Sequence, residues 1–143
     1  MKPLKILIIA IRLSLGALFV YAGIQKFIPK EREPATENVA EIPDHIVKIK
    51  ALIGGMKQTG YFWPFLGMVE IVGGLLLISQ VLSLLGAFLL LPVTANIFLF
   101  HLFLEPHEPV ELLLTGLYLA GNLLLIVREY PKLKPIFFHY KTI

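Results

Sequence analysis

A few polar side chains interrupt sequence that is otherwise almost wholly apolar, and any chemistry the chain performs has to start from them. Arg12 interrupts KILIIAIRLSLGALFV, Glu70 sits in the middle of GMVEIVGG, Asn96 lies in LLLPVTANIFLFHLF, and Tyr118 and Asn122 fall in TGLYLAGN. A guanidinium and a carboxylate in apolar surroundings can hold a proton or polarise a carbonyl oxygen, while the amides and the phenol supply hydrogen bonds. At one edge of the same apolar sequence, Gln25, Lys26, His101 and Glu111 make a second polar group, read as a mouth. These residues form an intramembrane polar cluster and its rim, and no catalytic role is assigned to any of them. The chain has no cysteine, which removes disulfides, thiolate metal sites and dithiol relays. No metal-ligand spacing occurs, and His45, His107 and His139 lie outside the apolar runs, where they cannot serve a two-histidine haem.

The elements that must position these groups are read from hydropathy. Hydrophobic residues make up 57% of the 143 residues, concentrated in runs at Leu4 to Ile28, Tyr61 to Ile78, Val81 to Leu104 and Val110 to Val127. Each run is long enough to cross a hydrocarbon core of about 30 Å. The second and third runs joined would make a helix of roughly 60 Å, so they must fold back at Ser79-Gln80 and Ser83. The expectation is an all-α, single-domain protein over residues 1–143: a transmembrane four-helix bundle with both termini on one side. The first run is a retained helix rather than a signal peptide, since it carries Arg12 and lacks an A-x-A-like end.

Lysines and arginines divide evenly between the two sides. Those on the side of the termini hug helix ends, which places both termini in the cytoplasm. The net charge of +3 comes from residues flanking the spans rather than from a patch, so the partner is the lipid bilayer and not nucleic acid.

Between the first two spans lies a polar insertion, residues 29–60. PKEREPATENVAE reads as an irregular loop. After it, Ile46, Ile49, Ile53 and Met56 recur at helical spacing, with Lys48, Lys50 and Lys57 off that stripe and Asp44 as N-cap. This is an amphipathic interfacial helix, an anchor in preference to a lid.

An ionisable group at a span centre costs about 2.5 to 3.5 kcal/mol on insertion scales, so Glu70 needs a partner. Arg12 lies about 12 Å in from Leu4 and Glu70 about 15 Å in from Gln80, which predicts an Arg12–Glu70 ion pair. Arg12, Gly16, Phe19, Gly23 and Lys26 share one helix face; Trp63, Gly67, Glu70 and Gly74 share another. The glycines let those faces approach closely. Lys26 is expected to snorkel to the headgroups. Glu111, Thr115, Tyr118, Asn122 and Glu129 align on the fourth span, as if lining an interior cavity. Asn96 and His101 point about 140° apart on an ideal helix, so both face the interior only if Pro92 rotates the upper half.

RLSLGALFVYAGIQKFI, followed after a polar loop by TGYFWPFLGMVEIVGGLLLI, resembles the DoxX family of small membrane proteins. The resemblance rests on Arg12, Gly16, Gly23, Lys26, Glu70, Gly73 and Gly74, and LLLPVTANIFLFHLFLEP looks like the third helix of a bacterial subgroup. It implies a four-helix integral bundle of the bacterial cytoplasmic (inner) membrane. The family takes its name from a subunit associated with a thiosulfate:quinone oxidoreductase, and other members are linked to membrane redox complexes and oxidative-stress responses. A eukaryotic relative is a receptor-assembly chaperone. Two readings stay open. One is a subunit or partner of a quinone-linked redox system, with quinone as a diffusible ligand, no cofactor in the chain itself, and a membrane redox partner or a second copy beside it. The other is a non-enzymatic assembly factor, scaffold or binder of a small apolar ligand.

Overall fold

The structure is a computed structural model and describes residues 2–30 and 42–138. Among these residues the regular structure is entirely α-helical: α1 (Lys2–Gln25), α2 (Asp44–Gln58), α3 (Phe62–Ile78), α4 (Ser83–Leu104), α5 (Pro109–Arg128) and α6 (Tyr130–Phe137). By length and apolar composition, α1, α4 and α5 can each cross a membrane. At 17 residues, α3 is shorter. It meets the same criterion only jointly with α2, from which it is bent by 89°.

Two short breaks set the path of the chain. Between α2 and α3, Gly60 adopts φ +77°, a left-handed conformation that glycine reaches without a Cβ clash. Thr59 secures the same corner: its hydroxyl donates to the Met56 carbonyl and accepts the Phe62 N–H. Between α3 and α4 the expected fold-back is present at Ser79–Leu82. There Gln80 takes φ 61°, and the Ser79 hydroxyl accepts the Leu82 N–H. The expected Asp44 N-cap is corrected by one residue. Pro43 is the cap, and Asp44 begins the helix with no side-chain cap bond, its carboxylate instead lying 2.6 Å from Lys48 Nζ.

In the packed array, α3 sits between α1 and α4, and α5 lies against α4 with a lighter contact to α1. Glycines make these approaches close. A methyl group at Gly16 would lie 2.7 Å from the Gly74 carbonyl oxygen, and one at Gly23 would lie 2.5 Å from that of Gly67. Across the next interface, a methyl at Gly86 would lie 2.7 Å from the Gly73 oxygen. Backbones meet directly there, as small residues allow in membrane helix pairs. Phe19, Leu77, Ala87 and Leu90 fill the space between, all essentially inaccessible.

α6 lies beyond the last element expected from the sequence, which ends at Val127. Pro131 occupies the first turn, where its missing N–H costs nothing, and Leu133 is buried.

Candidate functional site

The glycine contacts fix a register between α1 and α3 that decides which charges meet. Gly16 opposes Gly74 and Gly23 opposes Gly67, so Glu70 lies beside Val20. Arg12 is two turns, about 12 Å, further along α1. The predicted Arg12–Glu70 pair is therefore corrected: Glu70 Oε2 lies 2.6 Å from Lys26 Nζ. Depth counted from span ends failed because the ends are not level. α1 runs from Lys2 well past the α3–α4 turn, and Arg12 stands at the height of that turn, donating to Gln80 Oε1 at 3.2 Å.

Lys26 follows the last residue of α1, where its N–H still bonds the Gly23 carbonyl at 3.1 Å. Its stem runs back along the bundle and delivers the ammonium to Glu70. The expected snorkelling is thus also corrected. The Lys26 side chain is 14% exposed and that of Glu70 only 2%, so the pair is largely desolvated. Lys26 Nζ stands 5.2 Å from the centre of the Trp63 ring, and Lys57 Nζ, from α2, stands 4.9 Å from it. Both distances suit cation–π attraction.

The pair forms the polar end of a cleft of about 370 Å³ between α3 and α4. Leu52, Ile53 and Met56 of α2 close it from above, while Leu66, Val93 and Ile97 provide apolar walls. The amphipathic helix thus turns its apolar stripe onto the cleft. Asn96 and His101 line this same cleft, so their divergence on α4 does not separate them. The space spans enough of the surface of α4 to take both flanks, with Phe100 between. Asn96 is exposed rather than interior. His101 Nδ1 lies 2.8 Å from Glu105 Oε2, one turn on.

The other expected site residues fall elsewhere. Asn122 is fully buried between α5 and α4, and its Nδ2 donates to Thr94 Oγ1 at 3.2 Å. Its Oδ1 is buried without a partner among the described residues. The expected cavity-lining face of α5 is therefore corrected: its residues do not share one interior space, and Asn122 is the one that meets α4 through a hydrogen bond. Tyr118 borders an apolar groove between α1 and α5. Glu111 is exposed in the first turn of α5, and Gln25 is half-buried at the end of α1. So the structure brings together Glu70, Lys26, Asn96 and His101, and holds Arg12, Tyr118, Asn122, Gln25 and Glu111 apart from them.

Arg12 belongs to a second charged centre. Its Nη2 lies 3.6 Å from Glu129 Oε1, and Lys132 Nζ lies 2.6 Å from Glu129 Oε2. The hydrogen bond from Lys132 holds the Glu129 carboxyl below its ordinary value, helped by the charges of Lys132, Arg12 and Arg128 and opposed by partial burial. Thr94 went unnoticed in the sequence, and Gln80 was read only as part of the fold-back, not as the acceptor for Arg12. A threonine or glutamine in an apolar run was the available signal, since such a residue needs a hydrogen-bond partner.

Chemically, the cleft offers an ammonium donor, a carboxylate acceptor, an aromatic face and an apolar body. This suits a flat, mostly apolar molecule with an oxygen-bearing head. Among the described residues no group of three His, Asp or Glu side chains is set to hold a metal ion.

Comparison with known proteins adds one finding. The sequence model of DoxX matches residues 7–102, a stretch that contains Arg12, Lys26, Glu70, Asn96 and His101. No curated protein matches the chain. No solved structure matches it either.

Proposed function

The chain belongs to the DoxX family and is a multi-pass membrane protein, and from that premise we propose that it binds a quinone-class ligand as the membrane partner of a redox system. In this reading α1, α3, α4 and α5 are four spans and α2 is an interfacial helix over the cleft mouth. Both termini face the cytoplasm, and the membrane is the bacterial inner membrane. The observation that supports it is the Lys26–Glu70 pair at the end of an apolar cleft, beside Trp63.

The reasoning is energetic. Two charges withdrawn from water lose hydration that their mutual attraction only partly returns. A bundle needing stability alone does as well with apolar side chains of similar volume. A ligand carbonyl within reach of the Lys26 ammonium gains a charge-assisted hydrogen bond. Of the two protons that two-electron reduction adds to the ring oxygens, Glu70, first protonated from the solvent side, gives one, and it takes that proton back on reoxidation, the other exchanging with solvent. The chain contributes binding and proton handling; electrons come from a partner protein. The cleft volume lies within the usual ligand-site range of about 300–1,000 Å³.

The test is to extract quinone from protein purified out of native membranes. Wild type should retain it near one per chain, whereas Ile97→Phe, which fills the cleft, should lose most of it. Absence of quinone from both, together with a stable copurifying membrane protein, would instead favour the assembly-factor reading.

A further inference from the structure

A separate pocket of about 430 Å³ opens at the opposite end of the bundle, between the start of α1, the α3–α4 turn and the α5–α6 junction. Lys5, Arg12, Arg128 and Lys132 line it, with Glu129 as the one acidic residue in the lining. Glu129 engages Lys132 and Arg12, so its single charge is shared between two cations. Arg12 Nε and Arg128 Nη1 are buried there without a hydrogen-bond partner among the described residues. Buried guanidinium N–H groups are costly to leave unmet.

We propose that this pocket binds a phosphate group, that of an anionic phospholipid headgroup seated at the bundle end. Three observations converge on phosphate. The cations outnumber the carboxylate; two arginines present forked donors that fit tetrahedral oxyanions; and each of these two lining arginines keeps one guanidinium nitrogen without a hydrogen-bond partner among the described residues. The same pocket is walled by Ile8, Ile9 and Leu84, an apolar flank along which acyl chains can leave the headgroup. Basic pockets between helices at a membrane surface recognise lipid headgroups on this principle. The site does not depend on what occupies the cleft near Glu70.

The experiment uses the full chain in nanodiscs or detergent, with phosphatidylglycerol and phosphatidylcholine of identical acyl chains as probes. Bound lipid is counted by native mass spectrometry. Wild type should retain phosphatidylglycerol over phosphatidylcholine, and Arg128→Gln or Lys5→Gln should each reduce that preference about fivefold. Neither variant removes an ion-pair partner of Glu129, Arg128 acting on it only as the weakest of the nearby charges, so thermal unfolding in lipid-free detergent should stay within a degree or two of wild type. Arg128→Lys, which keeps the charge and loses the fork, should fall between. Displacement of phosphatidylglycerol by millimolar inorganic phosphate would identify free phosphate as the occupant of the same site. Retained phosphatidylglycerol under that challenge identifies the lipid. Equal retention of both lipids, or a preference untouched by Arg128→Gln and Lys5→Gln, overturns the proposal.

Discussion

The two charged centres at opposite ends of the bundle are built differently. At one end Lys26 and Glu70 meet as a single contact, the carboxylate almost wholly enclosed. At the other, Arg12, Gln80, Glu129 and Lys132 share a network whose central Arg12–Glu129 contact is 3.6 Å long, both side chains 15% exposed. Among the described residues Glu70 has Lys26 as its only ion-pair partner, while Glu129 in the network has two. Enclosure makes the first centre sensitive to loss of either member. Redundancy makes the second tolerant, and leaves cations over for a ligand.

The largest expected effect follows from enclosure. Lys26→Met leaves the Glu70 carboxylate buried without a partner and should cost about 3–5 kcal/mol in unfolding experiments. Glu70→Leu should cost less, about 2 kcal/mol, because a freed lysine near a helix end can reach the headgroups. The double variant should recover most of the loss. If it is no more stable than Lys26→Met alone, the pair is not a coupled unit.

Next in size is the glycine contact that fixes the register. Gly16→Ala places a methyl against the Gly74 carbonyl and should cost about 1–3 kcal/mol, as overpacking does. Gly54→Ala, where nothing lies within 4 Å, should be neutral or slightly stabilising to α2.

At the tolerant centre, Arg12→Gln should cost only about 1 kcal/mol. A double-mutant cycle between Arg12 and Glu70 should give less than about 0.5 kcal/mol of coupling, against several times that for Lys26 and Glu70. Equal coupling in both cycles would erase the contrast between the two ends.

The smallest effect is on acidification. Glu129 titrates below its unfolded value, so its contribution is present above that value and lost as pH falls through the depressed folded one. Stability should therefore show no Glu129-dependent change near neutral pH. A small loss in wild type, absent from Glu129→Gln, should appear only below the usual carboxylate range near 4.3.

Much of this arrangement was legible from residue types. Gly16, Gly23, Gly67 and Gly74 announced the close faces of α1 and α3, because a glycine on one stripe of an apolar helix marks close approach. Glu70 announced a buried cation beside it. Which cation it was could not be read, because a hydropathy boundary locates where a run ends, not how far neighbouring helices slide past one another. Lys26 was available on the same face, and its stem length decided the matter. Asn96 and His101 were misread for a related reason: their angular separation on α4 says nothing of how wide the space facing them is. The role of α2 was half legible, since its stripe of Ile49, Ile53 and Met56 required an apolar surface but did not name one.

The most direct test of the cleft as a ligand site uses Trp63, the only tryptophan in the chain and a wall of that cleft. A short-chain quinone titrated into detergent-solubilised protein should quench its fluorescence saturably, and Lys26→Met should weaken the binding about tenfold or more, as loss of a charge-assisted hydrogen bond does. Quenching that rises linearly without saturation, to the same extent in wild type and Lys26→Met, would contradict the account.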